Sequence, residues 1–318
     1  MLERISRNRS PSQLLSLLGC LCFMAGAAAY LMAGSDTSTR AGALPIRLGV
    51  SERVVAGVNL NDARAAMAVW SEELLKTIDV KMAFASGQDW VMPSDDLLAA
   101  IRGGKVDLFC LTIQEYRQVA PYVDVSRIMA DNYGGEELLL VVREESGIAN
   151  LAGLRGRSMI LWDSPSTSLA EPWLSVMLWR GGLDSPARLL GRVTRSSKLS
   201  QAVLPVFFGQ ADACMVTRRG LDTMAELNPQ LSRKLKVLIA SPKMESAFFA
   251  CRKGYPAQLR NTIFDGLVAL KSSTTAKQVS MLFQSPGFTA RDADSLSPAN
   301  ALLDAYERHR EPAAGRKR

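Results

Sequence analysis

Residues 161–173 have the sequence LWDSPSTSLAEPW, and this stretch decides the fold. The apolar run 157–162 that leads into it is typical of a buried strand, and residues 169–179 have the apolar spacing of a helix. A strand, a polar turn and a helix in this order form the unit of an open α/β sheet. Because ligands bind such sheets at the carboxyl ends of the strands, we expect the turn to lie at a binding site.

Three hydroxyl side chains in this turn, Ser166, Thr167 and Ser168, can donate hydrogen bonds to an anion. The first N–H groups of a helix have no partner inside the helix, and the helix dipole favours negative charge there. The sequence therefore predicts an anion site at the start of this helix. The alternative is that one of the hydroxyls serves only as the N-cap.

The same alternation of short apolar runs and helical patterns continues along most of the chain. Strands are predicted at 45–50, 79–85, 106–111, 138–143, 211–216, 235–241 and 248–252. Helices are predicted at 61–75, 93–101, 112–119, 198–208, 221–227, 257–270, 275–283 and 298–308. Short buried strands separated by helices imply mostly parallel sheets covered on both faces. Two sheets, one after the other, fit this chain better than one.

The positive charge of the chain is concentrated at its ends. The formal net charge is +7, of which residues 1–40 carry +2 and residues 307–318 carry +3. The remaining +2 is spread over the body, where no basic stripe with interleaved aromatic residues occurs. We therefore expect no nucleic-acid partner, and residues 307–318 form a basic tail.

The N-terminal residues have the pattern of a targeting segment. Arg4, Arg7 and Arg9 precede the uncharged, almost wholly apolar run from Leu14 to Ala33. Positive residues before such a run keep the N-terminus in the cytoplasm and send the following chain across the membrane. Residues 1–35 are thus a signal peptide cleaved near Ala27–Ala29 or a retained anchor, and residues 36–43 are a linker.

Catalytic and metal-binding residues are scarce in this sequence. The single histidine, His309, lies near the C-terminus, which argues against a Ser-His-Asp triad, a Cys-His pair and a histidine metal site. We therefore predict no enzyme activity, no metal and no cofactor. Beyond the targeting segment Cys110, Cys214 and Cys251 each lie in an apolar run, so three buried thiols are expected, with a single disulfide pair as the alternative.

The order of several short motifs resembles the phosphate/phosphite/phosphonate-binding family of periplasmic substrate-binding proteins. These motifs are RLGVS at 47–51, KVDL at 105–108, residues 137–142, LAGLRG at 151–156, residues 163–168 and GQADA at 209–213. The resemblance covers about residues 45–285. It implies an α/β, two-lobed, type II periplasmic-binding-protein fold, with residues 44–138 and 242–306 in lobe one and residues 139–241 in lobe two.

The resemblance also has consequences for the ligand. Ser166, Thr167 and Ser168 match the Ser-Thr-Ser sequence that the family uses to hold phosphoryl oxygens. Leu111 stands where aminophosphonate binders have a tyrosine, and Lys198-Leu199 stands where they have a His-Glu pair. These departures argue against an aminoalkylphosphonate ligand, whereas the phosphoryl site itself is retained.

Four further residues at predicted strand ends are candidates for the ligand site. Ser51 follows the first strand, Thr112 follows the third, and Thr217 with Arg218 follow the strand that begins at 211. For Ser51 and Thr112, capping of a helix is an equal alternative to ligand contact. Arg218 can present a fork of donors to a phosphoryl group, and one of the pair Arg218–Arg219 is expected to be solvated. Among the aromatic residues Tyr116, Tyr133, Trp162 and Trp173, we assign Trp173 to the core.

Together these features predict a monomeric periplasmic protein that captures a phosphate- or phosphonate-like oxyanion between its lobes and delivers it to an inner-membrane ABC permease. The alternative is a membrane-anchored sensor or accessory protein that uses the same two-lobed domain to signal to a membrane partner. An enzyme on the same fold is the least favoured interpretation, because the folded body contains no histidine.

Overall fold

The computed structural model describes residues 44–78, 82–84, 89–283, 285 and 287–314. The predicted targeting segment, the linker and residues 315–318 of the predicted tail lie outside these ranges, as do residues 79–81 and 85 of one predicted strand. Among the helices of the described part, none combines the length and the apolar character that a bilayer crossing requires.

Strands and helices alternate through the described residues. The strands are β1 Leu44–Ile46, β2 Leu48–Ser51, β3 Met82–Phe84, β4 Val91–Met92, β5 Leu108–Thr112, β6 Val123–Asp131, β7 Glu136–Arg143, β8 Ser158–Trp162, β9 Arg192–Ser196, β10 Ala213–Thr217, β11 Leu235–Met244, β12 Ala247–Arg252 and β13 Phe288–Arg291. The helices are α1 Leu60–Thr77, α2 Ser94–Arg102, α3 Ile113–Val119, α4 Ala170–Arg180, α5 Pro186–Leu189, α6 Leu199–Phe207, α7 Arg218–Leu227, α8 Gln230–Lys234, α9 Ala257–Ala269, α10 Thr274–Leu282 and α11 Ser297–Ala314.

Two main sheets divide these strands. The lobe-one sheet has the order β13-β6-β12-β5-β2-β4, and the lobe-two sheet has the order β11-β7-β10-β8-β9. Helices cover both faces of the lobe-one sheet, so its β2 and β5 are buried throughout. The predicted boundary between residues 138 and 139 falls inside β7, all of which belongs to the lobe-two sheet.

The sheets are mixed, and the expectation of mostly parallel sheets was wrong. β2 pairs in parallel with β4 and β5, and β8 pairs in parallel with β9 and β10. β12 is antiparallel to β5 and β6, and β7 is antiparallel to β10 and β11. The edge strand β13 is also antiparallel to β6. β7 and β12 arrive directly from the other lobe, and they run opposite to β8 and β10 and to β2 and β5, respectively. The local pattern of the sequence contains no signal for this reversal.

Two short crossovers join the lobes and lie against each other. One runs from Asp131 at the end of β6 to Glu136 at the start of β7, and the other from Met244 to Ala247. Gly135 has a φ of +83°, and a Cβ built on it would lie 2.7 Å from the carbonyl carbon of Met244. Only a residue without a side chain allows the two backbones to approach this closely.

The C-terminal helix α11 follows the strands of lobe one but packs against α4 of lobe two. The ring of Trp179 on α4 stacks on Tyr306 at 5.7 Å and on His309 at 5.0 Å between centroids. Residues 307–314 of the predicted basic tail are therefore the last turns of this helix. The apolar residues Leu302 and Leu303 are buried in the same cluster as Trp173 and Leu174 of α4, which explains why the helix lies there.

We predict that Gly135→Ala destabilises the protein more than Gly147→Ala. Both glycines have positive φ, so each substitution carries the strain of a left-handed residue, about 1–2 kcal/mol. A Cβ at Gly147 meets open space, whereas at Gly135 it collides with backbone of the other crossover. This collision should add about 1–3 kcal/mol. Urea denaturation gives both free energies of unfolding, and equal losses would contradict a tight contact between the crossovers.

Candidate ligand-binding cleft

A cavity of about 450 Å³ opens between the two sheets. Lobe one contributes residues 54–59 before α1 together with side chains from α1 and the sheet, and lobe two contributes residues 162–166 and Ser197. The crossovers contribute Asp131, Glu136 and Ser246, and Arg219 reaches the cavity from α7. The cavity thus lies where the carboxyl ends of β2, β5 and β8 point, as in other doubly wound sheets.

The hydroxyls of Ser164 and Ser166 face this cavity. Their two Oγ atoms form a hydrogen bond of 3.0 Å in which either can be the donor, so one hydroxyl hydrogen of the pair remains to be donated to a ligand. Both side chains are half-buried. They lie in a short 3₁₀ turn at 165–167, and helix α4 begins only at Ala170 with Leu169 as its N-cap. The hydroxyl turn therefore precedes the helix instead of forming its first residues. Ser164 was not among the predicted site residues, although it lies within the same hydroxyl-rich stretch.

Thr167 and Ser168, two of the predicted anion ligands, do not line the cavity. The hydroxyl of Thr167 lies 2.5 Å from the carbonyl oxygen of Trp162 and 3.0 Å from that of Ser164, and it accepts from the N–H of Ser164. It therefore closes the turn on itself. Ser168 Oγ is buried and makes no hydrogen bond within the described residues, while the Ser168 carbonyl accepts from Gln114 of lobe one at 3.0 Å. Of the predicted Ser-Thr-Ser group, only Ser166 reaches the cavity.

The hydroxyls of Ser51 and Thr112 are bound to the carboxylate of Glu115. Ser51 donates to Glu115 Oε1 at 2.6 Å, and both the N–H and the hydroxyl of Thr112 donate to Oε2 at 2.8 and 2.9 Å. Ser94 at the start of α2 also donates to this carboxylate, which is fully buried. Thr112 and Glu115 form the capping box of α3, so the capping alternative holds for Thr112. Neither Ser51 nor Thr112 lines the cavity.

Thr217 and Arg218 are also engaged by the protein itself. The Thr217 hydroxyl caps α7 by accepting from the N–H of Gly220 at 3.1 Å. Arg218 forms a two-pronged ion pair with Glu137, with N–O distances of 3.1 and 3.2 Å. It is Arg219 that reaches the cavity, where it pairs with Glu136 and lies 4.2 Å from the ring centroid of Tyr133. The sequence could not distinguish these adjacent arginines, because a shift of one residue changes the helix face.

The crossover side of the cleft is rich in carboxylates. Burial raises the pKa of Glu136, and its ion pair with Arg219 only partly offsets this effect. Burial also raises the pKa of Glu245 to about 7, with Asp131 and Glu136 acting in the same direction. Arg291 lies 3.1 Å from the Glu245 carboxylate, but its Nε is not aligned to donate to it. An ion pair without a hydrogen bond compensates poorly for the lost hydration of the carboxylate.

Trp173 and the three cysteines beyond the targeting segment lie in the core, as the sequence predicts. Trp173 is buried in the core as predicted, and Trp162 lines the cavity while its Nε1 donates to the carbonyl of Ser197. Cys110, Cys214 and Cys251 are buried and unpaired, which confirms three buried thiols. Burial raises the pKa of the Cys214 and Cys251 thiols to about 12, so neither is a reactive thiolate. Within the described residues no group of histidine, cysteine and carboxylate side chains could hold a metal ion.

A two-lobed α/β fold with a cleft between the lobes is the architecture of periplasmic solute-binding proteins. The sequence matches the family described as the periplasmic substrate-binding protein of the phosphonate ABC transporter over residues 58–296. This match covers most of the chain, so the protein belongs to that family, which binds and delivers solutes and does not catalyse a reaction. No curated protein matches the sequence.

Solved structures with the same fold come from several bacteria. A Xanthomonas citri protein bound to a chloride ion is 16% identical, with a TM-score of 0.59 over 84% of this chain and 99% of that chain. A binding-protein component of an ABC phosphonate transporter from Pseudomonas aeruginosa is 18% identical, with a TM-score of 0.54 over 84% and 87%. PhnD1 from Prochlorococcus marinus, in complex with methylphosphonate, is 14% identical, with a TM-score of 0.52 over 81% and 96%. At these identities the similarity establishes the two-lobed fold alone.

We predict that Glu245 makes the protein less stable as the pH rises. Its pKa of about 7 in the folded protein lies above the ordinary value of 4.5, so the folded state keeps a proton that the unfolded chain has already lost. The stability that the protonated Glu245 contributes is therefore fully present below about pH 4.5 and is lost as the pH rises from about 4.5 to 7. Between pH 5 and pH 8 the stability of the natural protein should fall relative to that of Glu245→Gln by on the order of 2 kcal/mol.

The exposed residue Glu226 provides the matched control. Glu226→Gln removes one carboxylate outside the cleft, so its stability should follow that of the natural protein at both pH values. Urea denaturation of the three proteins measures the effect. Parallel pH profiles for Glu245→Gln and the natural protein would show that the Glu245 carboxylate is adequately paired when charged.

Proposed function

We propose that the inter-lobe cavity binds a phosphonate-type oxyanion and that the hydroxyls of Ser164 and Ser166 donate hydrogen bonds to its oxygens. The observation that carries this proposal is the position of this hydroxyl pair, which faces the cavity from lobe two. Family membership supports it, and PhnD1 was solved with methylphosphonate in a fold of the same kind. Of the other candidate hydroxyls, those of Ser51, Thr112, Thr167 and Thr217 are engaged by the protein itself, and Ser168 does not line the cavity.

The electrostatics of the cavity indicate how the anion is held. Among the described lining residues the only cation is Arg219, and it is paired with Glu136. Asp131 and Asp163 add further negative charge to the lining. Neutral hydroxyl donors therefore provide most of the hydrogen bonds to the anion. Because salt screens charge–charge attraction but has little effect on short hydrogen bonds, the affinity should depend only weakly on ionic strength.

As a member of its family, the protein acts in the periplasm and supplies a membrane permease with its ligand. We propose that it does so as a monomer that closes around the ligand by a motion at the two crossovers. Gly135, which lies at the contact between the crossovers, is the natural pivot of this motion.

A role as a tethered sensor or accessory protein is the second candidate. The observation that favours it is the uncharged run from Leu14 to Ala33, which is longer than a signal peptide requires. N-terminal sequencing of the mature protein separates the two roles. A start beyond Ala29 in the soluble periplasmic fraction is expected for a freely diffusing receptor, and an intact N-terminus in the membrane fraction is expected for a tethered one.

We predict that the double variant Ser164→Ala/Ser166→Ala weakens the binding of methylphosphonate at least about tenfold, because a hydrogen bond to a charged group contributes about 1.5–3 kcal/mol. Titration calorimetry with phosphate, phosphite, methylphosphonate and sulfate first establishes which anion the natural protein binds. The proposal fails if none of them binds at millimolar concentration.

Thr217→Ala is the matched control for the double variant. It also removes a hydroxyl from lobe two, but the loss of this N-cap should cost about 1 kcal/mol of stability and leave the affinity unchanged. If the double variant and the control bind methylphosphonate equally well, the assignment of Ser164 and Ser166 is wrong.

A further inference from the structure

The cavity extends from its hydroxyl-lined side into an apolar space between α1 and the lobe-one sheet. We call this space the apolar chamber and define it by Val55, Met67, Trp70, Met129, Phe249 and Phe288, all of which line the same cavity as Ser164 and Ser166. Val55 precedes α1, Met67 and Trp70 lie on α1, and the other three lie on strands of the sheet. No member of the chamber carries a charge or a hydroxyl.

Three aromatic rings form one wall of the chamber. Trp70 stacks on Phe249 with ring centroids 5.7 Å apart, and Phe288 meets the rings of Trp70 and Phe249 edge-on at 6.1 and 5.3 Å. Each pair has the stacked or edge-to-face geometry that aromatic rings prefer. The wall is therefore packed in its own right, and Trp70 and Phe249 border the cavity although they are only 4% and 5% exposed.

The size of the cavity exceeds the needs of a small oxyanion. A volume of about 450 Å³ falls in the range of sites that hold small organic molecules, about 300–1,000 Å³. Phosphate or methylphosphonate would occupy only the part next to the two serines. A water molecule finds few hydrogen-bond partners in an apolar space. An apolar group of the ligand that fills this space is transferred out of bulk water and gains contacts with the wall, and both effects favour binding.

We propose that the ligand is an organophosphonate whose carbon substituent is apolar and larger than methyl, such as an alkyl chain or a phenyl ring. Its phosphonate group binds Ser164 and Ser166, and its substituent lies in the apolar chamber against Trp70 and Phe249. This inference rests on the proposed function and names the class of ligand for the same cleft. None of the six residues that define the chamber carries a carboxylate, so these residues suit an apolar substituent better than an ammonium group. The carboxylates of the cavity lining belong to Asp62, Asp131, Glu136 and Asp163.

The test is a series of ligands titrated into the natural protein by calorimetry: methylphosphonate, butylphosphonate, hexylphosphonate, phenylphosphonate and 2-aminoethylphosphonate. Each buried methylene should raise the affinity roughly two- to fourfold, so hexylphosphonate should bind at least about tenfold more tightly than methylphosphonate. Phenylphosphonate should also bind more tightly than methylphosphonate.

Failure of this inference differs from failure of the proposed function. If methylphosphonate binds but the longer ligands bind no better, or if 2-aminoethylphosphonate binds most tightly, the apolar ligand class is wrong and the phosphonate site stands. If no phosphonate binds, both are wrong. If 1-hexanol binds as tightly as hexylphosphonate, the phosphonate group contributes nothing and the inference is also overturned.

Two substitutions at Val55 locate the substituent. Val55→Phe fills part of the chamber and should lower the ratio of hexylphosphonate to methylphosphonate affinity at least about tenfold, whereas Val55→Ala should lower it less than about threefold. An unchanged ratio in Val55→Phe would place the substituent elsewhere. Circular dichroism and thermal melting check that each variant is folded. If Val55→Phe does not fold, the ligand series on the natural protein decides the question by itself.

Discussion

The close contact between the two crossovers is the constraint on which the cleft depends. Gly135 lies against the backbone of Met244 and Glu245, so the two chain segments that join the lobes form one narrow connection. Glu136 and Glu245 flank this contact, and their partners Arg219 and Arg291 come from a helix of lobe two and from a strand of lobe one, respectively. Charge from both lobes therefore meets at this contact, where burial disfavours the ionised carboxylates. Glu136 and Arg219 take part in this contact and also line the cleft.

Pairing of polar groups decides which hydroxyls remain for a ligand. A hydroxyl at the end of a buried strand must find a hydrogen-bond partner, since an unpaired buried polar group is costly. In lobe one the carboxylate of Glu115 provides that partner for Ser51, Ser94 and Thr112, and this network joins the ends of β2 and β5 to the starts of α2 and α3. In lobe two Thr167 closes its own turn and leaves Ser164 and Ser166 directed at the cavity. Ser164, Ser166 and Ser197 of lobe two line the cleft together with Ser246 of a crossover and Ser285 of lobe one, whereas most of the apolar lining comes from lobe one.

The residues that line the cavity link the fold to the choice of ligand. Membership of the phosphonate-binding family gives the general role of the protein, whereas the lining of the cavity determines which phosphonates suit it. The aromatic wall formed by Trp70, Phe249 and Phe288 belongs to the core of lobe one and also borders the cavity. A change in the packing of that core would therefore alter the size of the cavity without any change in Ser164 and Ser166.

Local patterns in the sequence predict most of the elements, two successive sheets and the hydroxyl-rich turn, because apolar periodicity and turn residues act over short distances along the chain. The two-lobed class follows from the resemblance of the motifs to a known family. The sequence predicts eight of the eleven described helices to within two residues at the start, for example 61–75 for α1. It places the start of α7 three residues late and misses α5, α8, β4, β6, β13 and the continuation of α11 to Ala314. Only the tertiary structure decided which polar residues face the cavity. Thr112 and Glu115 are three residues apart, but Ser51 reaches the same carboxylate from a position 64 residues away, and Arg219 and not Arg218 enters the cleft. Such choices depend on partners that are distant in the chain, and a single sequence contains no local signal for them.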